Sequence, residues 1–419
     1  MTSLEAATAA GNGVRFVGDP RVYWRLLVRG GLLLAATLGI YRFWLTTDVR
    51  RFLWANTEVA GESLEYTGKP LELLLGFLVA IAILIPVYTG FFMAALDLGP
   101  LGKISGVIAF GALGVLGQYA VYRARRYRLT RTIYRGVRFH QSGSAWRYAF
   151  CAVFWWSLTA LSCGLAYPLQ LASLERYKMR NTYYGDLAGS FAGSGFGLLL
   201  RGFPMWFLVV APLAVAAGAM IDIVDWQALA RALEQGGRDV MGRIERGNPE
   251  LAGAIVFAML MVSLSAVAAA LLYPAFQALV LRWWSSGLRF GEIEMCSNLS
   301  TRQIYGAYVR FLWYAILFGI GLAVIGVPVL LAVGAVAGDD HGGTGPEIAA
   351  TGLMLAGYVI AALGFSTIYR ATVMLSLWRL GMESLQMSGL SALDRVKASG
   401  GPSSPLGEGL ADALNVGGY

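Results

Sequence analysis

The chain has 419 residues, 57% of them hydrophobic and only 14% charged, with a formal net charge of +8. A water-soluble fold of that size does not cover so much apolar surface, so the composition excludes an ordinary globular protein. Uncharged runs of about 20 residues and more, with no ten-residue alternation of the kind a β-barrel needs, predict an all-α polytopic membrane protein.

Taken in chain order, residues 1–13 are polar, rich in Ala and Gly, and read as disordered; residues 1–20 hold no apolar signal-peptide core. In 21–54, Arg21, Arg25 and Arg29 precede only twelve uncharged residues before Arg42, Arg50 and Arg51. Twelve helical residues reach about 18 Å, too little to span, so this segment is expected to be a partial, re-entrant unit. Three pairs of full spans are predicted: 71–96 with 101–122, 198–221 with 251–281, and 306–337 with 347–378. Between the first two pairs, 147–178 is interrupted by Gly164 and by Tyr167-Pro168 and reads as a second re-entrant unit. The alternative is eight ordinary spans with one violation of the charge rule. Segment 222–250 is amphipathic and is expected on the non-cytoplasmic face, while 399–419, rich in Gly, Pro and Ser, reads as a flexible tail.

Orientation follows from arginine counting. Residues 122–147 hold eight arginines and no acid, and 175–201 and 282–310 are also net basic, so these connections are expected in the cytoplasm. Residues 222–250 and 338–347 carry an acidic excess and belong outside. The +8 is therefore chiefly a topology signal rather than a nucleic-acid one.

A degenerate repeat is visible in two forms. Apolar segments end in Tyr41, Tyr167, Tyr273 and Tyr369, with Arg50, Arg176 and Arg282 nine residues after the first three. Short segments that open on threonine and close on glycine recur at 57–68, 132–143 and 182–193, more loosely at 286–298, and read as small β-hairpins at the membrane face. Phe16-Val17-Gly18-Asp19-Pro20 echoes Tyr66-Thr67-Gly68-Lys69-Pro70.

These residues bring a family into view. The stretch 37–77, with its TLGIYRFW run, paired arginines before WANT, G-x-x-x-x-Y-x-G and ELL-x-GF, resembles the signature of the YjgN-like family of bacterial inner-membrane proteins. That family is a domain of unknown function, so the resemblance implies location and architecture. It carries over no catalytic residue.

Candidate functional residues are few. Glu72 opens the first full span and is expected to pair with Arg50 or Arg51. Gln170 and Gln277 are suited to interhelical hydrogen bonds or a polar cavity, and Tyr41, Gly164, Tyr167, Tyr273 and Tyr369 mark cavity or helix-break positions. Arg50, Arg51, Arg125, Arg126, Arg128, Arg131, Arg176 and Arg282 are candidate contacts for anionic lipid headgroups or a docking partner. Three cysteines without CxxC spacing, histidines only at 140 and 341, and no GxxxxGK[ST] predict no metal, no cofactor and no catalytic constellation. The partner expected is the lipid bilayer, anionic lipids included, with no nucleic acid. Transport of a small or lipidic substrate in the inner membrane is the leading expectation; a non-transporting scaffold or lipid-binding protein with a basic docking face is the alternative.

Overall fold

The computed structural model describes residues 13–97, 99–223, 249–339 and 344–416. Most of the expected N-terminal disorder (1–12), nearly all of the amphipathic segment (224–248) and His341 lie outside the described residues. The chain starts with β1 (Val14–Phe16), then α1 (Pro20–Ala36) and α2 (Arg42–Ala55), followed by β2 (Thr57–Val59), β3 (Glu62–Ser63) and β4 (Glu65–Tyr66). The helices α3 (Pro70–Asp97) and α4 (Gly99–Arg131) lead into β5 (Thr132–Tyr134) and β6 (Val137–Gln141). Next come α5 (Ala145–Leu161), α6 (Tyr167–Arg180), β7 (Thr182–Tyr184) and β8 (Leu187–Phe191), then α7 (Gly195–Ile223), α8 (Pro249–Gly287), β9 (Leu288–Phe290) and β10 (Ile293–Ser297). Finally α9 (Thr301–Asp339) and α10 (Thr344–Tyr369) lead through a π-helical turn (Arg370–Met374) to α11 (Leu375–Glu383), β11 (Leu385–Ser388), a 3₁₀ turn and α12 (Leu406–Ala413).

Among the described residues, six helical stretches are long and apolar enough to cross a membrane: Pro70–Met93, Ser105–Arg131, Gly195–Ile221, Pro249–Gly287, Thr301–Ala332 and Ala350–Glu383. They fall where the three predicted pairs lie. Their large apolar side chains, such as Phe110, Ile325 and Tyr358, point outward, as lipid-facing helices require. In a bilayer only helices or closed barrels satisfy every backbone group internally, and here helices do it. The shorter segments are two helical hairpins, α1–α2 and α5–α6, with helices of 17 and 14 residues in each.

The chain is mostly helical, as expected, but the β-hairpin-like connections form extended sheets, which the all-α expectation did not include. The strands pair antiparallel in two sheets, β1-β2-β3 and β4 through β11 in sequence order. A single residue, Leu64, separates β3 from β4, and its amide bonds to the Thr57 carbonyl at 3.0 Å. At the other end, Gly13, just before β1, bridges Gln386 of β11, so the strands close on themselves into a ring. The ring was hidden from the sequence because hairpins are local, whereas β4–β5, β6–β7, β8–β9 and β10–β11 each join strands separated by a whole helix pair.

The chain falls into two compact units. The larger holds all the strands with α1–α4, the start of α5, the end of α6, and α9–α12. Its core includes Phe16, Tyr23, Leu27, Leu45, Val49, Leu53 and Leu375. The smaller, residues 155–172 and 194–280, contains the α5–α6 turn, α7 and most of α8; Ser265 on α8 donates to the Val209 carbonyl of α7 at 2.7 Å.

Local chemistry explains the punctuation. Asp19 caps α1 through the Arg21 amide at 2.8 Å, with Pro20 at the first helical position. Thr57, Thr132 and Thr182 each donate a hydroxyl hydrogen bond to the carbonyl four residues back, at 2.7, 3.0 and 2.7 Å, as helix gives way to strand. Where the strand ends, an aromatic ring folds over the glycine two residues on: Phe16 over Gly18, Tyr66 over Gly68, and Phe191 over Gly193. A Cβ at any of these glycines would collide with the ring.

Candidate functional site

A cavity of about 410 Å³ lies in the larger unit, lined by Gly39, Arg42, Thr46, Arg50, Arg370, Glu408, Asp412 and Asn415 among others. Arg42, Thr46 and Arg50 stand at i, i+4 and i+8 on α2, so one face of that helix is a polar stripe. Opposite it, Glu408 and Asp412 stand at i and i+4 on α12. Arg50 pairs with Glu408 and Arg42 with Asp412. Arg128 of α4 approaches Glu408 at 4.0 Å, and the Tyr66 hydroxyl accepts from Arg50 at 3.1 Å.

The side chains of Arg50 and Glu408 are only 4% and 9% exposed, so the pair is largely stripped of water. Burial alone would lower the Arg50 pKa, but the Glu408 carboxylate and the Tyr66 hydroxyl outweigh it and hold the value above that of an ordinary arginine. Burial raises the Asp412 pKa above the usual carboxylate range, against the pull of Arg42. Hydrogen-bonding capacity remains unused, since Arg50 Nε, Glu408 Oε2 and Asp412 Oδ2 are buried without partners.

The tail that supplies these acids was expected to be flexible. Instead α12 packs against α3 and α4, with Ala411 against Ala120 and Ala124 and with Leu410 and Leu414 at the edge. Glycines make the approach possible: a Cβ at Gly409 would overlap the backbone of Gly76, and one at Gly407 would strike Arg123. A sequence signal existed, since Leu406, Leu410 and Leu414 recur every four residues beside Glu408 and Asp412. Glycine and proline content masked it. The connecting segment is tied down by Lys397, whose amide donates to Asp186 at 2.9 Å, by Ser399 on the Gly185 carbonyl, and by Ser403 beside Thr130.

A second cavity, about 290 Å³ and almost wholly apolar, lies in the smaller unit and brings together Gly164, Tyr167, Pro168, Phe203, Trp206, Tyr273 and Phe276. Gly164 has φ +90°, and the Trp206 indole donates to the Cys163 carbonyl at 2.8 Å, fixing the turn. Gln170 is buried and accepts from Thr159 at 2.8 Å, joining α5 to α6. Gln277 is half-buried on α8.

The remaining sequence-selected residues are dispersed. Tyr41 stacks on Trp44 at the start of α2, and Tyr369 packs edge-on to Phe311 just before the π-helical turn. Glu72 pairs with Arg131 at 2.9 Å and accepts from Tyr127 at 2.8 Å, not with Arg50 or Arg51 as expected; α12 has taken Arg50, and Arg51 caps the strand end. The supposed eight-arginine loop is the last turns of α4 followed by a hairpin. Arg125 bonds to Gln141 and Thr182 at 3.1 and 2.8 Å. Arg51 and Arg176 donate to the carbonyls of Gly68 and Gly193 at 3.0 and 3.1 Å, Arg126 donates to Gly143, and Arg282 reaches Thr301 at 3.2 Å. The tyrosine-plus-nine register holds at Tyr167 with Arg176 but is one residue off at Tyr41. Arg51, not Arg50, does what Arg126 and Arg176 do, which leaves Arg50 for the cavity. Among the described residues no group of three His, Cys, Asp or Glu side chains is placed to hold a metal ion.

Residues 12–413 match the family described as bacterial protein of unknown function (DUF898), and the chain belongs to that family, the YjgN-like one. No curated protein and no solved structure matches it.

Proposed function

We propose that this DUF898 protein is an integral inner-membrane protein that takes up a small or lipidic anionic substrate in the cavity beside α2 and moves it across or within the bilayer. The observation that carries this reading is the Arg42–Arg50 stripe, buried at its Arg50 end, beside long apolar helices. Charge at that level costs several kcal/mol unless it is paired, and membrane proteins keep such groups where ions or substrates pass. The docking-face alternative has less support, because Arg51, Arg125, Arg126, Arg176 and Arg282 spend hydrogen bonds inside the molecule.

The strand pairing supports one topology. Hydrogen-bonded strands lie on one side of a bilayer, so each helix pair between them leaves and returns on that side. The arginine-rich ends of α4 and α6 favour the cytoplasm for the ring. Helices of 17 and 14 residues reach about 25 and 21 Å, short of a hydrocarbon core of about 30 Å, so α1–α2 and α5–α6 are read as re-entrant.

Duplication of a strand–helix–helix–strand unit accounts for the recurrence of that order five times. Arg51, Arg126 and Arg176 each bond to a glycine carbonyl 17 residues on. The two short hairpins turn alike, at Leu38-Gly39 and Cys163-Gly164, all four residues with positive φ.

The test is purification followed by mass spectrometry of bound compounds, then flux into phosphatidylcholine liposomes. A co-purifying carboxylate or phosphate compound that crosses only protein-containing liposomes, and is lost in R42Q/R50Q, is expected. Liposomes no more permeable than empty ones to every anion recovered would overturn the transport reading.

A further inference from the structure

We infer that the charged cavity is an anion-binding site whose present occupant is the chain's own C-terminal helix, and that a carboxylate- or phosphate-bearing ligand displaces α12 from it. The inference rests on reading this cavity as the substrate site, and it names both the ligand chemistry and the gate.

Four features point this way. First, the ion pairs of Arg42 and Arg50 run to α12 itself, whereas the helix-end arginines Arg51, Arg126 and Arg176 are satisfied by main-chain carbonyls near them in sequence. Second, the fit is incomplete: Glu408 and Asp412 each leave one carboxylate oxygen buried without a partner, and Arg50 leaves Nε. An anion free to orient its oxygens, above all a phosphate monoester with three of them, uses donors that a tethered carboxylate cannot reach. Third, about 410 Å³ of space remains beside the pair, room for the body of such a ligand next to Leu34 and Leu73. Fourth, the strap from Lys397 to Ser403 is held by a few polar contacts, of which those of the exposed Lys397 and Ser399 exchange with water at little cost, while Ser403 meets the buried Thr130. A self-supplied acid keeps the arginines paired when no ligand is bound, which avoids the penalty of an uncompensated buried charge. Competition from a tethered occupant lowers the apparent affinity for ligand by the fraction of time the site is open.

Two sources share this chemistry, a free anion and an anionic lipid headgroup. The experiment uses full-length protein in dodecylmaltoside micelles with either inorganic phosphate or phosphatidic acid added, comparing wild type with E408Q/D412N by thermal unfolding. Weakening the plug should raise the apparent affinity for the active probe by about tenfold, ~1.4 kcal/mol, and adding R42Q/R50Q should abolish the response. Response to phosphate identifies a free-anion site; response to phosphatidic acid alone identifies a headgroup site. No response to either probe in E408Q/D412N, or an equal one when the arginines are gone, overturns the inference. Should E408Q/D412N not fold, hydrogen exchange on the wild type decides: the active probe must speed exchange across Leu406–Ala413, and unchanged or slower exchange there with both probes overturns displacement. None of these readouts requires flux, so failure of transport leaves them interpretable.

Discussion

Individual side chains in this protein are chosen for the partner that burial imposes on them. Glu72, in the first turn of α3, sits where the helix dipole favours a carboxylate, and its pairing with Arg131 and Tyr127 ties α3 to the end of α4. Because Glu72 is about a quarter exposed, Glu72→Gln is expected to cost about 1 kcal/mol rather than the full penalty of a buried pair. Thermal unfolding in detergent measures this, and Tyr127→Phe, which removes the hydroxyl that donates to Glu72, should reproduce part of the same loss. His140 gives a pH signature. Its ring stacks on Tyr183 with Nδ1 buried and unpartnered, and burial lowers its pKa. A histidine depressed in the folded state binds fewer protons than in the unfolded one, so its stability contribution is present above the ordinary value of about 6.5 and is lost as pH falls through it toward the lower folded value. Wild-type unfolding temperature should therefore drop as pH falls below about 6.5, and His140→Phe, which keeps the ring contact, should flatten that part of the profile.

At the level of elements, the two short helical hairpins turn on residues in left-handed backbone. Gly39 and Gly164 have φ of +95° and +90°, which an L side chain adopts at a cost of about 1–2 kcal/mol. Gly39→Ala and Gly164→Ala are expected to lower stability by that amount each, whereas Gly106→Ala, in mid-helix with open space around a Cβ, should be neutral or stabilising by a few tenths. Comparison of the three unfolding temperatures separates a conformational requirement from a packing one. These turns were readable in the sequence because a glycine beside a Tyr-Pro or Tyr-Arg pair inside a short apolar run interrupts a helix locally. Hairpins 57–68, 132–143 and 182–193 were readable for the same reason: threonine, glycine and arginine act within 17 residues of one another. The docking of α12 was not readable, since Arg50 and Glu408 stand 358 positions apart and no periodicity links two charges across that distance. Tail composition pointed the other way.

At the scale of the whole molecule, the strands join the ends of five helix pairs in sequence order, and the closure of their ring is the feature a local reading of the chain is least able to foresee. Six apolar spans follow from composition alone, but a ring requires the first and last strands to meet. That seam is thin: Val14 packs with Leu385 and Met387, and the backbone link is the bridge between Gly13 and Gln386. Directly bridged residues in antiparallel strands bring their Cα atoms to about 4.5–5.5 Å, within disulfide range. Cys296 is the register partner of Gln386 on the other side and would compete for a new thiol, so the test belongs in a Cys296→Ser background. There, G13C with Q386C should form an intramolecular disulfide under mild oxidation, detected as a faster gel band that reverts on reduction, while G13C with S190C, in β8 away from the seam, should not. Cross-linking only between separate molecules, or none, would mean that the first strand does not close the ring. The same Ser190→Cys protein reports sidedness. Strands hydrogen-bonded to one another share one aqueous face, so Ser142→Cys and Ser190→Cys in membrane vesicles must label from the same side, which the topology proposed above makes the cytoplasmic one. Labelling of the two from opposite sides would break the ring as surely as a missing disulfide.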